Sequence, residues 1–251
     1  MKNLRKEKLQ QKQSVIGTFV QMGHPDVTEY MAGLGFDWLL LDAEHGPLSY
    51  ETLQIMMQAM NGSGCTPIVR PEWNDMVTIK RILDLGAHGV LIPMVNTREE
   101  AEYAAKACRY PPAGVRGVGP RRAAIFDRDY FTTADEEIMT IVQVETPQAI
   151  DNLDEILKVD GIDACYVGPM DLSYSMGMKF PDFENQEFLT ALDRVMESAN
   201  KAGKPAGFYA GKNNIEFVIK KGFVLNTLDS SDTFLLRGAI SALKAYRSVE
   251  K

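Results

Sequence analysis

The chain has 251 residues, 45% of them hydrophobic and 24% charged, enough apolar material for one sizeable core, which excludes an intrinsically disordered chain. A formal net charge of -7 argues against nucleic acid or an anionic membrane as partner, because both demand a basic surface. There is no apolar run long enough for a membrane span, no signal-peptide pattern and no C-x-x-C spacing among Cys65, Cys108 and Cys165, so the expectation is a cytoplasmic protein with buried free thiols.

The charged lead, residues 1–13, predicts a short capping helix. After it, apolar β-branched runs at 15–22, 36–44, 66–71, 88–95, 138–146, 162–170, 205–211 and 223–231 alternate with amphipathic segments at 25–34, 49–61, 75–85, 97–109, 147–158, 185–202, 213–221 and 232–248. Ser49 and Thr97, the latter in the capping-box pattern TREE, mark helix starts, and glycines follow several helix ends. Eight βα units whose strands are apolar on both faces predict a closed (β/α)8 TIM barrel, one domain over 1–251. An open doubly wound sheet would carry a Gly-rich turn after its first strand, and none is present. Residues 110–137 interrupt the alternation. An insertion of that length with four arginines and four aromatics predicts an ordered functional loop.

In such a barrel the strand ends carry the chemistry. The second run ends in LDAEHG, with Asp42, Glu44 and His45; the third ends in Arg70, the fifth in Gln143 and Glu145, the sixth in Asp171 and Ser173. Glu145 and Asp171 close neighbouring strands about 4.8 Å apart. Two such carboxylates repel unless a proton or a cation intervenes, and an all-oxygen donor set suits Mg2+ or Mn2+. The alternative is that each caps the following helix. Arg70 is placed to bind a carboxylate or an oxyanion, or else pairs with a loop acid. His45 is a candidate general base, or a satisfied structural histidine. His24 falls in the first βα loop and His88 at a strand start. No G-x-S-x-G and no strand-end lysine suggest acyl-enzyme or imine chemistry.

LDAEHGP, IVRP, LDLGAHGVLIPMV, GVRGVG, IVQVET and VGPMDLSYSMG, in this order over most of the chain, resemble the HpcH/HpaI family of class II pyruvate aldolases. That group includes the 4-hydroxy-2-oxoheptanedioate and 2-keto-3-deoxy-sugar-acid aldolases and macrophomate synthase. The resemblance implies a hexamer, a trimer of dimers, whose eighth helix packs on a neighbouring subunit. It implies reversible cleavage of a 4-hydroxy-2-oxo acid to pyruvate and an aldehyde through an enolate stabilised by Mg2+, Mn2+ or Co2+, with oxaloacetate decarboxylation as a side activity. Residue by residue, it assigns Glu145 and Asp171 to the metal, Gln143 and Met170 to pyruvate, with Asp171 beside them, Arg70 to the enolate and His45 to proton transfer. Asp84 matches an acid that supports that histidine. Asp42, Glu44 and Ser173 are expected to surround the ligands, holding metal waters or loop backbone. Arg121 and Arg122, where small residues are usual, mark a candidate specificity loop. Two other readings stay open: an acyl-CoA lyase of the citramalyl or citrate lyase β type, which would need a basic CoA site, and a barrel that binds a keto acid without catalysis.

Overall fold

Alternation along each strand sorts the core into two layers. In the computed structural model, which describes residues 2–125 and 127–250, the strands are β1 (Val15–Val20), β2 (Trp38–Asp42), β3 (Thr66–Arg70), β4 (Gly89–Ile92), β5 (Met139–Val144), β6 (Ala164–Val167), β7 (Ala206–Ala210) and β8 (Leu225–Ser230). They pair in parallel in chain order, and β8 closes on β1. Val15, Phe19, Trp38, Leu40, Ile68, Ile141 and Tyr166 form the inner cluster, while Leu39, Leu41, Val69, Val142 and Val167 meet the helices outside. Side chains two apart share a face, so the same count that points Trp38 and Leu40 inward points Asp42 inward as well. Gly17 makes room for Trp38: a Cβ there would lie 2.5 Å from the indole.

The helices are α1 (Leu4–Gln10), α2 (Pro25–Gly33), α3 (Tyr50–Ala59), α4 (Met76–Asp84), α5 (Arg98–Cys108), α6 (Tyr130–Glu137), α7 (Pro147–Asp151), α8 (Leu153–Leu157), α9 (Pro169–Ser175), α10 (Gln186–Ala202), α11 (Ile215–Lys221) and α12 (Ser231–Val249). Ser49 caps α3 through the Thr52 amide, and the Thr97–Glu100 capping box is fully formed. The segment expected as one helix over 147–158 breaks at Asn152 into α7 and α8. The sixth apolar run ends earlier than its composition suggests. Pro169 cannot donate to a ladder but suits the first position of a helix, so α9 starts there.

Helix α1 crosses the lower end of the barrel, where the strands begin. Asn3 donates to the His88 and Glu137 carbonyls, Arg5 to those of Asp37 and Gly64, and Lys6 to Ile138. Leu9 enters the inner cluster from below. At the other terminus, α12 leaves Leu235, Leu236, Ile240, Leu243 and Tyr246 more than half exposed. No helix among the described residues is long and apolar enough to cross a membrane.

Candidate active site

The inward positions at the C-terminal ends of the strands meet above the aromatic plug of Phe19, Trp38 and Tyr166. They open a cavity of about 200 Å3 lined by Gln21, His45, Arg70, Gln143, Met170 and Asp171, with Phe19, Tyr166 and Tyr209 as its apolar wall. A larger cavity, about 520 Å3, lies at the lower end between α1, α3 and the residues Arg122, Ala123, Asp127 and Tyr130. It contains none of the strand-end residues.

Asp42 and Arg70 are register partners across β2 and β3. Arg70 donates from Nε to Asp42 Oδ1 and from Nη2 to Oδ2, both at 2.8 Å, and its Nη1 lies 3.0 Å from Glu44 Oε2 and 3.4 Å from Gln143 Oε1. The ring of Phe19 sits 5.0 Å from the guanidinium carbon. Burial alone would push the fully buried Asp42 carboxyl up, but the Arg70 hydrogen bonds and charge, with Gln21 and the His45 amide, hold it below its ordinary value. Burial works against the Arg70 charge too, and Asp42, Glu44 and Glu145 more than offset it. Arg70 is thus both alternatives at once, an ion-paired arginine and a cation facing the cavity.

Glu145 follows β5 directly and is 3% exposed. It does not cap a helix: Thr146 caps α7. Instead its Oε1 accepts the Met94 amide at 2.7 Å, and its Oε2 accepts from Gln143. Met94 has φ +55, a left-handed conformation costly for a side chain with a Cβ, and that turn aims its N–H at the carboxylate. Gly168 permits the approach from β6, because a Cβ there would lie 2.9 Å from Gln143 Nε2 and 3.3 Å from Glu145 Oε2. Burial pushes Glu145 above its ordinary value, and the Glu44 and Asp171 charges add to the rise. Glu44 is raised as well, first by burial and then by Asp42 and Asp171 against the opposing pull of Arg70 and His45. Asp171 lies in the first turn of α9, exposed at the mouth, where no side chain caps the helix.

The donor set fits a divalent cation. Asp42, Glu44 and Glu145 act on one fixed cation, Arg70, with Asp171 lining the same cavity, and a bound ion would offset the burial and the like charges that raise Glu145 and Glu44. Among the described residues no three His, Cys, Asp or Glu side chains are arranged as a complete ligand set, so Glu145 and Asp171 would hold the ion with water and substrate oxygens as further ligands.

Several expected residues stand elsewhere. Ser173 is buried and donates to the Pro169 carbonyl at 2.7 Å within α9, so its hydroxyl is spent inside the helix. Asp42, by contrast, holds loop backbone as expected, its Oδ1 accepting the Glu44 and His45 amides at 3.3 and 3.4 Å. Asp84 ends α4 at the lower end of the barrel, where it takes a 2.7 Å bond from the buried Arg116. His45 has Glu44 as its carboxylate neighbour, at 3.9 Å, and is 58% exposed. The 110–137 segment joins the end of α5 to the start of β5 and includes α6, so it too lies below. Arg122 donates to the Leu85 carbonyl and to Asn61 there, and its amide bonds Asp84. A specificity loop at this chain's own mouth is therefore excluded for Arg121 and Arg122. Phe126, within that segment, lies outside the described residues. His24 caps α2 through the Asp26 amide, and burial pushes His88, just before β4, down to about 4. Gln21, Phe19 and the Met94 amide were not singled out from sequence. Counting in twos from Val15 reaches Phe19 and Gln21, whereas nothing in LIPMVN signals a left-handed methionine.

The HpcH/HpaI aldolase/citrate lyase model matches residues 15–237. The chain belongs to this family. It is 40% identical over 256 residues to the 4-hydroxy-2-oxo-heptane-1,7-dioate aldolase of Salmonella newport (strain SL254), an alignment covering all of this chain and 97% of that protein. An HpcH/HpaI aldolase/citrate lyase family protein from Burkholderia cenocepacia J2315 superposes with a TM-score of 0.92 at 30% identity, covering 98% and 99% of the two chains. Macrophomate synthase shares the fold, with a TM-score of 0.82 at 23% identity over 95% of this chain and 86% of that one.

Proposed function

We propose that the protein is a divalent-metal-dependent pyruvate aldolase that reversibly cleaves a 4-hydroxy-2-oxo acid to pyruvate and an aldehyde, and decarboxylates oxaloacetate as a side activity. The convergence of His45, Arg70, Gln143 and Asp171 on one cavity beside the buried Glu145 carries this reading. Cleaving the bond between C3 and C4 leaves an electron pair on C3, delocalised onto the keto oxygen as an enolate. When bound at Glu145 and Asp171, the divalent ion, Mg2+, Mn2+ or Co2+, supplies Lewis-acid charge for that oxygen.

The chain's own groups do the rest. Arg70 presents Nη1 at the cavity as a fixed positive charge, preorganised by the pair it makes with Asp42. Gln143, tied to both Arg70 and Glu145, orients the keto acid, and the Met170 amide, in the first turn of α9, has no acceptor within the helix by position. His45 takes the proton of the C4 hydroxyl in cleavage and returns it in condensation. The wall of Phe19, Tyr166 and Tyr209 makes one side of the cavity apolar, and the enolate takes a proton at C3 from solvent water at the mouth to give pyruvate.

The homo-oligomer expected above, a hexamer with α12 on a neighbouring subunit, belongs to this reading; the exposed apolar stripe of α12 supports it. Roles for Asp84, Arg121 and Arg122 in the chemistry would then require that one subunit's lower end meet another's mouth. The acyl-CoA lyase reading finds no basic site at this chain's own mouth, because Arg122 is bound at the opposite end. A non-catalytic barrel gives no reason for Met94 to hold strain beneath Glu145. The test is pyruvate release from 4-hydroxy-2-oxoheptanedioate by wild type and Arg70→Met. Turnover that falls at least about 100-fold in the variant supports the assignment, and absence of pyruvate from wild type with added Mg2+, Mn2+ or Co2+ refutes it.

A further inference from the structure

We infer that Asp42 is a positioning residue shared by Arg70 and the His45 turn, so that the enolate-facing cation and the proton-transfer group are set by one buried carboxylate. The inference rests on the aldolase reading. Both Asp42 oxygens are fully engaged by the protein. Oδ1 accepts from Arg70 Nε at 2.8 Å and from the Glu44 and His45 amides at 3.3 and 3.4 Å. Oδ2 accepts from Arg70 Nη2 and Gln21 Nε2, each at 2.8 Å. A carboxylate offers about four lone-pair sites, and five donors converge on this one.

Each branch has a geometric consequence. Toward β3, the paired contacts hold the Nε and Nη2 edge of the guanidinium and leave Nη1 toward Glu44, Gln143 and the cavity. Toward the loop, the same oxygen that takes Arg70 Nε takes the two amides that open the 43–46 turn. That turn closes tightly: the Gly46 amide donates to the Asp42 carbonyl at 3.1 Å, and a Cβ on Gly46 would lie 2.3 Å from that oxygen. His45, exposed at the rim, therefore has its place over the cavity from its backbone and not from side-chain packing.

The two branches can be separated by reaction. Cleavage of a 4-hydroxy-2-oxo acid needs a proton moved at the C4 hydroxyl and an enolate stabilised. In oxaloacetate decarboxylation the bond between C3 and the C4 carboxyl breaks, carbon dioxide leaves, and the electron pair becomes the same enolate with no hydroxyl proton to move. Arg70 serves both reactions, and His45 serves only the first.

The experiment compares wild type, Asp42→Asn, Arg70→Met and the double variant in both reactions, with Mn2+ affinity by calorimetry and thermal melting for each. Asp42→Asn should lower kcat in both by about 10- to 100-fold, the scale of a misplacement near 1 Å. KM and Mn2+ affinity should stay within about 3-fold, which loss of fold or of the metal site would not allow. On top of Arg70→Met, Asp42→Asn should add no further loss to decarboxylation yet still lower cleavage, about 10-fold if the loop branch is a partial misplacement. Should Asp42→Asn alone fail to fold, the double variant against Arg70→Met carries the same comparison, since it lacks both buried charges. Wild-type rates in Asp42→Asn, or equal extra losses in both reactions on the Arg70→Met background, would overturn the shared role. A wild type inactive in both reactions would overturn the aldolase reading itself.

Discussion

Glu145 is held where its charge is unfavourable, buried, strapped by a strained amide and facing two other acids. A group so placed predicts tight dependence on a cation. Asp171→Ala should weaken Mn2+ binding by at least about 10-fold and abolish turnover, and unchanged affinity by calorimetry would remove Asp171 from the ligand set. Met94→Gly should keep the amide while relieving the left-handed strain, so it should leave Mn2+ affinity unchanged and not lower the melting temperature; a marked loss of affinity would show that the methionine side chain, not its backbone, supports Glu145. At this scale the sequence was legible wherever alternation carried a polar residue to a strand end, as at Asp42, Arg70, Gln143 and Glu145. Contacts between strands distant in sequence, such as Met94 with Glu145, leave no trace in local pattern. The destination of the 110–137 arginines was hidden for another reason. Composition gives a loop's character, whereas the end of the barrel it occupies follows only from which helix and strand it joins.

Among the elements, α1 and the start of β4 make the lower closure. Leu9→Ala, which removes a buried side chain from the inner cluster, should cost about 2 to 4 kcal/mol of stability, read by denaturant unfolding; a cost below about 0.5 kcal/mol would mean that α1 is an accessory and not a plug. His88 gives the same region a pH dependence. Its folded value is near 4 because burial disfavours the charged ring, against about 6.5 for an unfolded histidine. The unfolded chain therefore binds the proton first, and this contribution to stability is present above pH 6.5 and lost as the pH falls toward 4. The slope is at most about 1.4 kcal/mol per pH unit. His88→Asn should flatten that acid limb in unfolding free energy measured between pH 7 and 4, and an unaltered limb would place its origin elsewhere. All eight strands and the main helices followed from the alternation of apolar runs with capped amphipathic segments. Helices α6 and α9 did not, one lying inside an irregular insertion and the other disguised as the tail of an apolar run until Pro169 is given its weight.

For the whole molecule, α12 is the element that a single chain leaves unsatisfied. Leu236, Ile240 and Leu243 recur at helical spacing on an exposed face, and Leu236→Glu with Ile240→Glu should shift sedimentation toward a smaller species. An unchanged distribution would separate that face from assembly. The closed barrel itself was legible because each strand reads as buried on both faces, a pattern few architectures produce. If carboxylates at the mouth hold a cation on which the chemistry depends, pyruvate release from 4-hydroxy-2-oxoheptanedioate should follow that cation in one preparation assayed before EDTA, after EDTA, and after restoring Mg2+, Mn2+ or Co2+. Activity should disappear with the chelator and return with at least one of the ions; undiminished pyruvate release in the presence of EDTA would contradict the account.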